Sequence, residues 1–181
     1  MSRRIAIIQG HPDPSGAHYC HALAEAYREG AVAAGHTVNL INCCDLDLPY
    51  IRNQEQWKAP PEDEGILRMQ AIVGEADHLV IIYPLWLGDM PASLKSALEH
   101  LSCGGFVMAI DENGHWQQKL KGKSARVVVT MGMPALVYRL YFLSHSLKSL
   151  ERNILKFAGV KPVRTTLMGR VEGEGRAAQR E

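Results

Sequence analysis

The sequence lacks the features that mark membrane, secreted or nucleic-acid-binding proteins. Twenty Lys and Arg residues against nineteen Asp and Glu residues leave a net charge of +1, so bulk charge does not draw the chain to nucleic acid or to an anionic membrane. No apolar run approaches the ~20 residues that span a bilayer, and the apolar piece after Arg4 is too short for a signal peptide. We expect a cytoplasmic protein with small neutral partners.

Cysteine and nucleotide-binding motifs are also scarce. The four cysteines include an adjacent pair, Cys43 and Cys44, but no CxxC, so they indicate neither a disulfide framework nor a zinc site. A metal site at His18 and His21 would lack a third ligand, and we expect none. The chain contains neither GxGxxG nor GxxxxGK[ST], the sequence motifs specific for dinucleotide and nucleoside triphosphate binding.

What the sequence does contain is a series of short apolar strands alternating with helical patterns. The predicted strands are residues 5–9, 37–41, 79–83, 125–130 and 163–167; the predicted helices are residues 16–35, 62–76, 91–101 and 136–158. Right-handed crossovers then give a doubly wound parallel sheet, which we expect to be a three-layer α/β/α sandwich with five strands in the order 2-1-3-4-5. We expect residues 1–181 to form one domain, with a tail after about residue 169 that frays unless it docks.

Two stretches between these elements are irregular. Residues 45–61 contain three prolines and are long for a plain connection, so they could cover a site or contact a partner subunit. Residues 103–122 are rich in glycine with one apolar piece, 106–110, which predicts a hairpin-like excursion above the sheet.

The loop after the third strand is unusually apolar. Residues 79–83 form a continuous β-branched run, typical of a strand that helices cover on both faces. Pro84 cannot donate to a sheet ladder and Gly88 gives backbone freedom, so the strand ends there. The loop then presents Leu85, Trp86, Leu87 and Met90.

Three predicted loops leave the carboxyl ends of strands on one side of the sheet: residues 10–18, 84–91 and 130–138. Ligands of open α/β sheets bind at this edge, at the point where strand order reverses. One ligand could therefore touch all three loops.

Individual residues of these loops leave more than one interpretation open. Ser15 and Gly16 stand at a predicted helix start, where backbone N–H groups favour an anion, but the commoner role of Ser15 is a helix cap. His18 and His21 could simply face solvent. Tyr138, in or just after the third loop, could be a packing residue or could act with His145 as a proton donor pair.

Several motifs together resemble a known family. They are His11-Pro12-Asp13-Pro14, Tyr83-Pro84-Leu85-Trp86, Met90-Pro91-Ala92-Ser93-Leu94-Lys95, Gly105-Phe106 and Thr130-Met131-Gly132. Over nearly the whole chain, this combination resembles the NAD(P)H:quinone oxidoreductases with a flavodoxin-like fold, which include DT-diaphorase and small bacterial quinone reductases.

The resemblance implies a flavin, FMN or FAD, held across the three loops, with NAD(P)H as co-substrate. The residues along its phosphate and ribityl chain would be His11, Ser15, Gly16, Ala17 and His18. The isoalloxazine ring would be lined by Pro84, Leu85, Trp86 and Leu87, and its pyrimidine side held by Thr130, Met131, Gly132 and Met133. Tyr138 and His145 would stabilise the reduced flavin or protonate a quinone.

The resemblance also implies two-electron ping-pong reduction of a quinone or other small aromatic acceptor, in a homodimer whose second subunit completes the pocket. The chain departs from the family at Gly16, Ala17 and His18, where a hydroxyl, an aromatic and an asparagine are usual, and at Met133, usually a glycine. These departures remove phosphate donors and leave FMN or FAD open.

Two other functions fit the same fold. A flavin-binding regulatory subunit of a transport system would be favoured by an exposed apolar or charged patch away from the three loops. An azo- or nitroreductase would use the same site on other acceptors.

Overall fold

The computed structural model describes residues 2–16 and 18–171 and confirms the predicted sheet. Five parallel strands lie in the order β2-β1-β3-β6-β7, which is the predicted order 2-1-3-4-5 once two hairpin strands are counted. The sheet strands are β1 (Arg4–Gln9), β2 (Thr37–Asn42), β3 (His78–Pro84), β6 (Ser124–Thr130) and β7 (Val163–Met168). β3 is central because β1 and β6 pair with its two sides.

Helices cover the two faces of this sheet unequally. On one face lies α1 (Tyr19–Ala33), whose buried Ala24 and Ala31 pack on alternate residues of β1 and β3. On the other lie α3 (Glu64–Glu75) and α4 (Ala92–Ser102), which bury Met69, Val73, Leu94 and Leu98 against the remaining residues of those strands. Two separate apolar clusters result, as expected for a strand buried on both faces.

α1 begins three residues later than the pattern predicts. The predicted start was near Gly16, but Gly16 has φ +75°, outside the helical region, and the helix begins at Tyr19 with His18 as its N-cap. Ser15 is therefore not the helix cap.

The predicted helix over residues 136–158 is wrong as a single element. The chain forms α5 (Ala135–Leu140), turns at Leu143 and Ser144, and continues as α6 (His145–Ser149) into a π-helical segment, Leu150–Lys156. Leu143 and Ser144 have φ of 51° and 52°, a left-handed conformation that no continuous helix contains. The apolar periodicity continues through this break, so the sequence pattern gives no sign of it.

The hairpin over the Gly-rich stretch is confirmed, as β4 (Met108–Ile110) paired antiparallel with β5 (Trp116–Gln118). The irregular residues 45–61 contain one short helix, α2 (Gln54–Lys58), and are otherwise mostly exposed. The Pro49 carbonyl lies 2.7 Å from His100 Nε2, which ties this stretch to α4.

The segment after β7 docks on the third loop. The backbone N–H groups of Arg170 and Val171 donate to the carbonyls of Met133 and Met131. A Cβ on Gly169 would collide with the backbone of Ala135 and with the Met133 carbonyl, so this crossing requires glycine. The rest of the predicted tail, residues 172–181, lies outside the described residues. No helix in the described part of the chain is long and apolar enough to cross a bilayer.

Candidate active site

The three loops meet at the carboxyl edge of the sheet. The Gly10 N–H donates to the Ile82 carbonyl at 2.8 Å, and the Leu85 N–H donates to the Thr130 carbonyl at 2.7 Å. These bonds extend the β1-β3-β6 pairing beyond the strands and fix the start of each loop. A Cβ on Gly10 would lie only 2.8 Å from Leu94 Cδ2, so the first loop approaches α4 too closely for a larger residue.

The second loop is a tight turn that exposes its apolar side chains. The N–H groups of Trp86 and Asp89 donate to each other's carbonyls at 2.8 and 2.9 Å, while Leu87 and Gly88 both have positive φ. This is the geometry of a type I′ turn, in which glycine is favoured at the second central position. Leu87 is fully exposed and Trp86 is 49% exposed, whereas Leu85 packs on the core and Pro84 ends the strand half-buried.

The first loop contributes a cluster of three histidines. The buried ring of His11 stacks on His18 at 3.9 Å between centroids and lies 5.5 Å from His21. His11 also meets Trp86 edge-on at 5.7 Å, which joins the first loop to the second. The sequence left open that His18 and His21 face solvent, but both are half-buried, and His21 Nδ1 is buried with no hydrogen-bond partner among the described residues.

Asp13, which has no assigned role in the His11-Pro12-Asp13-Pro14 motif, supplies a negative charge to this cluster. His18 Nε2 lies 2.7 Å from Asp13 Oδ2, and this hydrogen bond lowers the pKa of Asp13 to about 2. Burial, followed by the neighbouring imidazoles, lowers the pKa of His11 and of His21. Because both are depressed, these two rings are mainly neutral at pH 7.

Ser15 and Gly16 are exposed beside the histidines. The Ser15 N–H donates to Asp13 Oδ1 at 2.9 Å, and its Oγ lies 3.5 Å from His18 Nε2, the outer limit of a hydrogen bond. A groove of about 430 Å³ runs from Gly16 and the histidines along α1 to Asn42 at the end of β2. Ala17 lies outside the described residues.

The third loop offers backbone donors on a buried base. Thr130 is buried with its Oγ1 3.2 Å from Cys20 Sγ, and Met131 belongs to the core. Gly132 is exposed and Met133 half-buried. Among the described residues, the N–H groups of Gly132 and Met133 find no acceptor, so they are available to a ligand.

The structure does not join Tyr138 and His145 by a hydrogen bond. Tyr138 is 0% exposed; its hydroxyl lies 2.7 Å from Ser146 Oγ and accepts from the Leu147 N–H at 3.1 Å. It holds the corner between α5 and α6, which is the packing alternative. His145 is exposed at the start of α6. Their catalytic role stays a prediction.

Buried polar groups near this edge remain unsatisfied. Gln9 is fully buried; its Oε1 accepts from the His11 N–H at 2.8 Å, while its Nε2 has no partner among the described residues. The hydroxyl of buried Tyr83 is likewise unpartnered, and burial raises its pKa. Unsatisfied buried groups are uncommon and tend to mark sites of function. No group of His, Cys, Asp and Glu in the described part of the chain could hold a metal ion.

The arrangement suits a planar aromatic group with polar edges and an anionic tail. Trp86 supplies an apolar face, the third loop supplies N–H donors, and the first loop supplies imidazoles beside the start of α1. Comparison with known proteins identifies the family. The family model described as flavodoxin-like fold matches residues 3–181.

The chain belongs to the flavodoxin-like fold family. It is 30% identical over 169 residues to an "Uncharacterized NAD(P)H oxidoreductase" of Haemophilus influenzae, covering 90% of this chain and 82% of that protein. It is 32% identical over 116 residues to a mouse "Ribosyldihydronicotinamide dehydrogenase [quinone]", which covers 61% of this chain but only 49% of the mouse protein.

Solved structures show the same fold. An NAD(P)H:quinone oxidoreductase from Methanothermobacter marburgensis superposes with a TM-score of 0.79 at 23% identity, covering 99% of this chain and 92% of that one. An FMN-dependent NADH-azoreductase from Bacillus anthracis, in complex with FMN, superposes with a TM-score of 0.73 at 18% identity, covering 99% and 93%. Solved structures with this fold thus include quinone reductases and azoreductases.

Proposed function

We propose that the chain is a flavin-dependent NAD(P)H:quinone oxidoreductase that acts at the three-loop crevice. The observation that carries this proposal is the convergence, at one sheet edge, of exposed Trp86, the unpaired N–H groups of Gly132 and Met133, and the histidine cluster of His11, His18 and His21. The oxidoreductase relatives support the same reaction class.

Each loop would bind a different part of the flavin. Trp86 and Leu85 would line the isoalloxazine ring, while the N–H groups of Gly132 and Met133 would donate to the polar edge of its pyrimidine. The phosphate would lie against His18 and the start of α1, where backbone N–H groups and the helix dipole favour an anion. Both FMN and FAD carry this phosphate. The azoreductase neighbour is FMN-dependent, which supports FMN.

The chain's own contribution is position, water exclusion and charge stabilisation. A bound flavin would supply the hydride chemistry itself. Trp86 and Leu87 would exclude water from one face of the ring and offer a flat apolar wall to a nicotinamide or a quinone. The N–H donors of the third loop would stabilise negative charge near the pyrimidine. One pocket serving both substrates in turn requires ping-pong kinetics.

Tyr138 keeps its proposed part as a proton donor only if the corner between α5 and α6 opens, whereas His145 is already exposed. In the closed corner the Tyr138 hydroxyl is bound to Ser146 and Leu147 and cannot reach a substrate. Replacement of Tyr138 by Phe tests this: lower turnover with unchanged flavin content and stability supports a proton donor, whereas lower stability with unchanged turnover supports packing.

A second copy of the chain is the partner we propose for the surface beside the third loop. α5 and the following turn expose a continuous set of large apolar side chains: Leu136, Val137, Leu140, Tyr141, Phe142 and Leu143. Exposed apolar patches of this kind mark interaction surfaces. A homodimer would cover them and add a wall to the crevice. Residues 45–61, with exposed Tyr50 and Trp57, are a second candidate contact.

Azo compounds are a second candidate class of acceptor, because azoreductases are among the solved structures with this fold. The crevice is open and its wall is apolar, so it does not select between a quinone and another flat aromatic acceptor. Parallel turnover assays with a benzoquinone and an azo dye distinguish these two. We place the reaction in the cytoplasm, in agreement with the four free thiols of Cys20, Cys43, Cys44 and Cys103.

The steady-state oxidation of NADH and NADPH tests the enzyme proposal. We expect the purified chain to retain or take up a flavin and to oxidise one of these cofactors only when a benzoquinone is present. A protein that binds flavin but shows no acceptor-dependent turnover would instead be a flavin-binding regulatory subunit. A protein that binds no flavin would contradict both.

A further inference from the structure

A second cleft opens at the amino edge of the sheet, at the end opposite to the three loops. It measures about 1030 Å³ and lies between α1 and the starts of β3, β6 and β7. Its floor is formed by His78, Ser124 and Arg126, on the sheet face that α1 covers only in part. One wall consists of small residues of α1, including Gly30, where a Cβ would meet only open space.

The cleft is lined by four cationic side chains against one carboxylate. The cations are Arg3, Arg126, Lys161 and Arg164, and the carboxylate is Asp77. Arg126 and Arg164 are direct neighbours across the β6-β7 pair, so their side chains leave the same face of the sheet. Like charges at such a position repel each other, and an anion between them would remove that repulsion.

These cations have no counter-ion within residues 2–16 and 18–171. None of the four forms an ion pair there; Arg126 donates only to the neutral hydroxyl of Thr166, at 3.1 Å. Asp77 is engaged elsewhere, since its Oδ2 accepts from the Arg4 N–H at 2.8 Å. The cleft therefore presents unneutralised guanidinium groups, the donors best matched to phosphate and carboxylate oxygens.

His78 lies at the centre of this charge. Its Nδ1 is 2.8 Å from Ser124 Oγ, and its Nε2 is 3.5 Å from the Tyr27 hydroxyl on α1. Burial, and then Arg3, Arg126 and Arg164, lower the pKa of His78. The groups that face this imidazole from the N-terminal segment, α1, β6 and β7 are thus cations or neutral hydroxyls, and the cleft is also lined by His36 and by Asp77, whose carboxylate accepts from the Arg4 N–H. An anion in the cleft would offset the effect of the cations and raise the pKa of His78.

We propose that this cleft is a binding site for a small multivalent anion carrying phosphate or carboxylate groups, held by Arg126 and Arg164 with Arg3 and Lys161 at the rim. The hydroxyls of Tyr27 and Ser124 add neutral donors for the same oxygens. The site is separate from the crevice, since it lies at the other end of the strands, and it does not depend on the proposed reaction.

Titration of the full-length protein with pyrophosphate, and separately with citrate, tests the site at constant ionic strength. Isothermal calorimetry gives the affinity and stoichiometry, and the ring protons of His78 report the place by NMR. We expect saturable one-to-one binding of at least one of the two anions, with a higher pKa of His78 in the bound form. Comparison of the two titrations shows whether phosphate or carboxylate is preferred.

The variant Arg126→Gln/Arg164→Gln should weaken this binding roughly tenfold or more, because it removes two charge-assisted donors. Arg68→Gln, an exposed arginine on α3, is the matched control and should bind as the unmodified protein does. If the double variant does not fold, Arg164→Gln alone replaces it in the test, because Arg164 is at an exposed position. Flavin content should be unchanged in all of them.

Three results would overturn the proposal. One is a set of NMR chemical-shift changes that grow with anion concentration without saturating and are equal in the control and the double variant. Another is the absence of binding by both anions. A third is an oligonucleotide that binds at Arg126 and Arg164 far more tightly than either small anion, since this would identify a nucleic-acid surface instead.

Discussion

The two edges of the sheet differ in charge although the same strands build both. At the carboxyl edge, the side chains are mostly apolar or uncharged, with the Asp13 carboxylate beside His18 as an exception, and the backbone N–H groups of Gly132 and Met133 are available donors. At the amino edge, the donors are side-chain cations such as Arg126 and Arg164. A largely apolar crevice suits the stacking of flat aromatic groups, whereas a cationic cleft suits anions. On the two proposals, one fold offers two sites with separate selectivity.

Gly169→Ala should produce the largest difference between the effects on the two edges of the sheet. The added Cβ would collide with the backbone of Ala135 and with Met133 O, which would displace the third loop and destabilise the protein by about 1–3 kcal/mol. We expect flavin content to fall while pyrophosphate still binds at the other edge. Gly74→Ala, whose Cβ would sit at an ordinary 3.4 Å from Phe106, is the control. Equal thermal stability and flavin content in the two variants would contradict the account of the third loop.

Trp86→Ala should act on the crevice without unfolding the protein. Trp86 is 49% exposed, so its loss costs little stability, but we expect roughly tenfold weaker flavin binding because an aromatic face is removed. Trp116→Ala, on the hairpin and 59% exposed, is the matched control and should bind flavin normally. In the unmodified protein, bound flavin should also quench the Trp86 fluorescence. Flavin titrations that coincide for the two variants would remove Trp86 from the site.

The histidine cluster predicts that flavin binding strengthens as pH falls. In the free protein, burial and then the neighbouring His18 lower the pKa values of His11 and His21. Asp13, and for His21 also Asp45, offset this lowering only in part. A phosphate nearby would raise these values, so binding takes up protons between the free and the bound pKa. The dissociation constant should be roughly threefold to tenfold lower at about pH 6.5 than at about pH 8.

Calorimetry in two buffers of different ionisation enthalpy would detect this proton uptake directly. As a control, riboflavin, which has no phosphate, should show no such pH dependence. A phosphate-dependent affinity that stays flat across this range would show that the histidines do not contact the phosphate.

Ser15→Ala should have the smallest effect. The Ser15 Oγ lies 3.5 Å from His18 Nε2 and is exposed, so its contribution to flavin binding should be about twofold or less. His18→Ala is the comparison and should weaken binding more, because it also removes the stacking on His11 and the bond to Asp13. A larger loss of flavin affinity for Ser15→Ala than for His18→Ala would show that the Ser15 hydroxyl, and not His18, contacts the phosphate.

The sheet could be predicted because it depends on local patterns. The run of residues 79–83 and the apolar stretches around it fix the strands, and right-handed crossovers place helices on the faces of a parallel sheet. The break at Leu143 and Ser144 could not be predicted, since two left-handed residues there have no glycine to mark them. The bond between Tyr138 and Ser146 that closes this corner joins residues eight apart.

At the site, the three loops were predictable and their details were not. The meeting of loops 10–18 and 84–91 follows from topology alone. The burial of His21 and the pairing of Asp13 with His18 depend on where α1 begins, which Gly16 shifted to Tyr19. The basic cleft was invisible in the sequence because Arg3, Arg126 and Arg164 are distant from one another in the chain and the net charge is close to zero.

The central claim is that the carboxyl-edge crevice binds a flavin and passes hydride from a nicotinamide to an acceptor. Anaerobic mixing of the flavin-loaded protein with NADPH or NADH, followed by a benzoquinone, tests it most directly. The account predicts that the nicotinamide bleaches the visible flavin band and that the quinone restores it, with one quinone reduced per nicotinamide oxidised. A flavin band that neither nicotinamide bleaches would contradict the account.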